Sequence, residues 1–106
     1  MANPARGEVA FRVADADYNL KYSTNAICEL EDYLDKGLNT IVANMERLTT
    51  VRALLWAGMR AHHPEVTLKQ AGDMIDRVGM APATEAIGKA LTAAFPPATE
   101  GDAPNV

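Results

Sequence analysis

Hydrophobic positions change their period once along this chain, and the change divides it into two parts. Val9, Phe11 and Val13 alternate with Ala10 and Arg12, and Tyr18, Leu20 and Tyr22 alternate with Asn19 and Lys21. Period two is the mark of a half-buried strand, and the short polar stretch Ala14-Asp15-Ala16-Asp17 between the runs predicts a β-hairpin. An isolated hairpin is marginal in water, so its apolar face needs a cover. From Ser23 onward the period becomes helical. Ser23, Thr24 or Asn25 caps a first helix with Ile27, Leu30 and Leu34 on one face, and Gly37 ends it. A second, shorter helix runs from Asn39 to Arg47 with Ile41, Val42, Met45 and Leu48 turned inward. Thr49 or Thr50 caps a third, in which Val51, Leu54, Leu55 and Met59 share a face and Pro64 forbids continuation. Thr67 and Gln70 form a capping box before a fourth, closed by Gly79. The fifth carries Pro82 in its first turn and places Ala86, Ile87, Ala90, Leu91, Ala94 and Phe95 on one side.

The predicted architecture is therefore α+β, a single domain with an N-terminal β-hairpin packed on a bundle of about five short helices. Residues 1–7 form an aperiodic arm, residues 8–95 the globular domain (hairpin 8–23, helices 24–95), and the Pro-rich residues 96–106 a tail expected to be disordered. With 106 residues, 48% hydrophobic and 6% aromatic, one core built mostly from aliphatic side chains is what the chain can form.

Charge and cysteine usage narrow the function classes. A formal net charge of −4 disfavours a general nucleic-acid binder, which needs clustered Lys and Arg. One cysteine, Cys28, gives neither an internal disulfide nor a Cys-based metal site, and its place between Ile27 and Leu30 suits a small core residue. No apolar run reaches the length of a membrane span, and the polar start lacks a secretory pattern, so a reduced, cytoplasmic setting is expected.

The candidates for chemistry are thin. His62 and His63 are adjacent, which on a helix points them about 100° apart and prevents easy chelation; residues in the last helical turn are the plainer reading. Glu29, Glu31, Asp32 and Asp35 form the densest acidic cluster, best read as a solvated face. Cys28 has no base nearby. No nucleophile–base pair, metal set or cofactor loop can be assembled, and no enzyme is expected. The stretch from Met74 to Thr84 has the rhythm of a helix-turn-helix, which keeps a small DNA-binding regulator using residues 67 to 94 as an alternative, but the outward positions after it are Thr84, Glu85, Gly88, Lys89 and Thr92, a poor set for reading a DNA groove. Trp56 and Arg60, four apart on the face opposite Leu54 and Leu55, leave two readings open: a partly covered surface tryptophan, or an anchor for another protein, with Met59 nearby.

Several stretches together resemble a known family. They are Asn3-Pro4-Ala5-Arg6-Gly7-Glu8-Val9, Tyr18-Asn19-Leu20, Thr24-Asn25-Ala26-Ile27-Cys28-Glu29-Leu30-Glu31, Val51-Arg52-Ala53-Leu54-Leu55-Trp56-Ala57-Gly58, Thr67-Leu68 and Asp76-Arg77-Val78-Gly79. The chain is similar, over about residues 3 to 95, to the small tail protein of gene transfer agents and tailed prophages of alphaproteobacteria, described both as a tail-tube protein and as a tail assembly chaperone. The resemblance implies a non-enzymatic assembly role in the bacterial host cytoplasm, with a place in the tail particle also open. Its implied partners are the tape-measure protein or other tail proteins, met through Trp56, Met59 and Arg60. Self-association along the hairpin edge is a further option; no nucleic acid, membrane or cofactor is expected. The low strand content ranks a chaperone above a tube component, and the acidic balance of the chain would suit a basic client.

Overall fold

The computed structural model describes residues 7–95, so the expected tail and all but the last residue of the expected arm lie outside the described residues. The chain runs β1 (Val9–Val13), β2 (Ala16–Leu20), α1 (Thr24–Leu34), α2 (Leu38–Ala43), α3 (Leu48–Met59), α4 (Leu68–Val78) and α5 (Met80–Ala94). The two strands pair antiparallel, with Val9 opposite Leu20 and Val13 opposite Ala16. The α+β hairpin-and-helices architecture expected from the change of period is the one observed.

The hairpin is tighter than the sequence suggested. Its loop is two residues, Ala14 and Asp15, and β2 starts at Ala16. Ala14 occupies the first loop position at φ 56°, where a right-twisted hairpin favours glycine. The Arg12 side chain holds this turn: Nε donates to the Ala14 carbonyl at 3.2 Å and Nη1 to Asp17 Oδ1 at 2.8 Å. An L-residue pays roughly 1–2 kcal/mol for the left-handed region. Ala14→Gly should therefore raise unfolding stability by up to about 1 kcal/mol, after the greater chain entropy of glycine is subtracted. Chemical denaturation of both proteins checks this.

Val9, Phe11, Val13, Tyr18 and Leu20 share the inward sheet face, while Ala10, Arg12 and Asp17 are exposed. Helix α3 runs through the centre, packed against α1, α4, α5 and β2. Val51, Ala53, Leu54, Leu55, Ala57 and Met59 are all fully buried along it. Tyr22, buried just past β2, donates its hydroxyl to the Leu54 carbonyl at 2.6 Å, and burial pushes the phenol well above its usual range. The Lys21 amide donates to the Gly58 carbonyl at 2.9 Å, so α3 covers backbone at the outer edge of the hairpin.

Helix ends follow the caps, with three corrections. The first is at α3, which starts at Leu48 behind Arg47, so that Thr49 and Thr50 lie inside the helix and neither caps it. Ser23 caps α1, and Thr67 and Gln70 form the full reciprocal capping box of α4. But α1 stops at Leu34, because Asp35 rather than Gly37 takes the left-handed position, at φ 55°. Helix α2 stops at Ala43 instead of Arg47. Asn44 reaches back to donate Nδ2 to the Thr40 carbonyl at 2.8 Å, a side-chain bond that competes with helix continuation. The helical period beyond Ala43 is lost, and Val42 and Leu48, expected inside, are exposed. Phe95, the C-cap of α5, is likewise half exposed, and Cys28 lies on the outer face of α1 rather than in the core.

Candidate docking face on helix α3

Two sites join distant parts of the chain, and they differ in kind. The first is structural. His62 and His63 lie just beyond α3 and diverge to opposite strands of the hairpin. His63 Nε2 accepts the Asn19 amide of β2 at 3.0 Å, and its ring meets Tyr18 edge-on with centroids 5.0 Å apart. His62 Nε2 lies 3.0 Å from Oε2 of Glu8, a buried carboxylate just ahead of β1. Adjacent residues pointing apart cannot share a metal, but they can clasp two strands. Neither contact was visible in the sequence, because the partners lie some fifty residues away.

The clasp has a pH consequence. Burial lowers the affinity of His63 for a proton below the ordinary histidine range, with Glu65 opposing this and His62 adding to it. Protonation would also destroy the lone pair that accepts the Asn19 amide. A depressed folded-state pKa means stability is full above the ordinary histidine value and is lost as pH falls through the folded value. Melting temperature should drop between about pH 7 and pH 5, and His63→Gln should flatten that part of the profile. Thermal melts across that range measure both.

The second site is the outward face of α3. Residues 52, 56 and 60 recur at a spacing of four, so they form one stripe between α1 and α4. Trp56 is half-buried at its centre. Tyr33 of α1, 49% exposed, lies against it with ring centroids 5.9 Å apart. Arg60 extends over the indole, its guanidinium carbon 5.3 Å from the ring centroid, and its guanidinium is held by two hydrogen bonds. Its Nε donates to Glu29 Oε1 at 3.0 Å and its Nη1 to the Pro64 carbonyl at 2.7 Å. The structure thus brings Trp56 and Arg60 together. Met59 does not join them: it is 0% exposed, because it follows the core face of α3, and it is no part of the surface.

Arg52, at the other end of the stripe, was overlooked in the sequence although the same spacing of four points to it. Its side chain lies along α4, where Gly72 makes room; a Cβ there would stand 3.3 Å from Arg52 Cδ. Of the acidic cluster on α1, Glu31 proves to be a helix cap, accepting the Leu38 amide of α2 at 2.8 Å, while Asp32 and Asp35 are exposed.

The corner between α4 and α5 is a single residue, Gly79 at φ 94°, not the three- or four-residue turn of a DNA-binding helix-turn-helix. The one base on the outer face of α5, Lys89, is 3.3 Å from Glu85. A cleft of about 470 Å³ between the hairpin turn and α4 mixes Asp15, Glu65 and Asp73 with Arg77 and Gln70. Among the described residues no group of three or more His, Cys, Asp or Glu is placed to hold a metal ion. No helix among them is long and apolar enough to cross a membrane.

What the fold presents, then, is a small α+β scaffold whose central helix shows an aromatic, arginine-flanked stripe of the kind proteins use to meet other proteins. A family model described as "Phage tail tube protein, GTA-gp10" matches residues 6–96, and the chain belongs to that family of phage and gene transfer agent tail proteins. The family is defined by a part of the tail and not by an enzymatic activity. No curated protein and no solved structure matches the chain.

Proposed function

We propose that this tail protein acts as an assembly chaperone, binding the tape-measure protein through the outward face of α3 until the tail tube forms around it. The observation that carries the reading is the Arg52–Trp56–Arg60 stripe, with Tyr33 beside it, on the central helix of the fold. A rigid aromatic anchor flanked by ordered cations matches the composition of interface hot spots. A long helical client exposes apolar stripes, and a face of this shape can cover one turn after another. Contact is to protein alone; no cofactor enters.

The description of the family supports a second reading, a subunit of the tube itself. Against it stands the strand content among the described residues, one hairpin of five residues per strand, which is little with which to line a tube. Quantitative mass spectrometry of purified particles separates the two. A chaperone is abundant with the tape-measure protein in the lysate and scarce in finished tails; a tube subunit is present in every ring.

A further inference from the structure

We infer that the segment docking on α3 is acidic, and that one of its carboxylates seats on Arg52. This rests on the reading of the α3 face as a docking surface and adds the chemistry of what docks there. The chain as a whole is acidic, at −4, which by itself would favour a basic client. Contacts are decided locally, however, since exposed charges more than a Debye length apart are largely screened. Locally, the stripe carries two arginines whose situations differ.

Arg60 is satisfied, held by Glu29 and the Pro64 carbonyl. Arg52 has no ion pair among the described residues, and its Nε is buried without a hydrogen-bond acceptor. The acids of the neighbouring helix leave it so: Asp73 lies 3.7 Å from Lys69, and Asp76 forms no ion pair with Arg52. Nor is Arg52 a loose surface chain, since its Cδ lies against the open backbone at Gly72. Nε itself is closed off from any incoming group, but Arg52 is only half-buried, and the solvent-facing side of its guanidinium carries an unpaired charge that a carboxylate arriving with a partner can meet. Trp56 stands one helical turn away to receive the apolar side chain next to that carboxylate. A helical segment bearing Glu and Leu at i, i+4 spacing has both groups in register with Arg52 and Trp56.

Trp56 is the only tryptophan, so its fluorescence reports this face and no other. The purified chain is titrated with two synthetic amphipathic helical peptides, one with Leu and Glu at i, i+4 and one with Lys in place of Glu. The acidic peptide should shift the emission and bind at least about tenfold more tightly than the basic one. Arg52→Gln should remove that preference, and added salt should shrink it. Arg52→Lys, which keeps the positive charge and most of the stem but loses the planar fork, should retain a reduced preference for the acidic peptide; it serves if Arg52→Gln folds poorly. Equal binding of both peptides, preference for the basic one, or an emission shift from self-association without peptide overturns the inference, as does no binding of either. The docking face itself is tested separately by capture of the tape-measure protein with Trp56→Ala, so the two failures are distinguishable.

Discussion

Leu55→Ala is expected to lower the melting temperature by roughly 10–25 °C. Leu55 is fully buried on α3, the helix that α1, α4, α5 and β2 all pack against. Truncation there removes buried methyl groups from the point where the elements meet, and no single neighbour can move in without leaving another. Large-to-small changes at such sites cost about 2–5 kcal/mol, a large share of the stability of a domain this size. Differential scanning calorimetry measures the drop. Leu48→Ala, one residue into the same helix but 63% exposed, should shift the midpoint by no more than a few degrees and serves as the control.

The second large effect is on binding and leaves the fold in place. Trp56→Ala removes an aromatic group that is only half-buried and touches Tyr33 and Arg60. The ring also packs against the core, so its loss should cost the fold about 1–2 kcal/mol, short of unfolding it. Capture of the tape-measure protein should fall by about thirtyfold or more, since truncating a central aromatic anchor typically costs at least 2 kcal/mol of binding. Met59→Ala should show the reverse pattern, with strong destabilisation, because Met59 lies in the core beneath the same face. Paired melts and binding isotherms on the two variants separate an anchor from a core residue.

The parts of the fold that were legible in the sequence are those set by local physics. Alternation at Val9–Val13 gave the hairpin, and the Thr67–Gln70 capping box marked the start of α4 to the residue. The errors fall where a side chain competes with the backbone. Nothing in the period of α2 reveals that Asn44 will bond Thr40 and end the helix, or that Asp35 will take a left-handed conformation ahead of Gly37. The site was half legible for a related reason. Spacing along α3 places Trp56 with Arg60, and it places Arg52 there equally well. That Arg52 lacks an acceptor, however, depends on Gly72 of another helix and on where the acids of α4 point. Met59 carries two readings in the sequence, a place on the core face with Val51, Leu54 and Leu55 and a place beside Trp56, and its burial selects the first. The links from His62 to Glu8 and from His63 to Asn19 span the whole domain and carry no local signature.

The central claim, that the face of α3 meets a helical tail protein during assembly, is tested most directly by isothermal titration of the purified chain with purified tape-measure segments. The account predicts saturable binding, with quenching or a shift of Trp56 emission in parallel, weakened about thirtyfold or more by Trp56→Ala and unaffected by Leu48→Ala. Absence of binding to any segment, with the protein instead recovered in every ring of finished tails, would contradict it and make the chain a structural subunit of the tube.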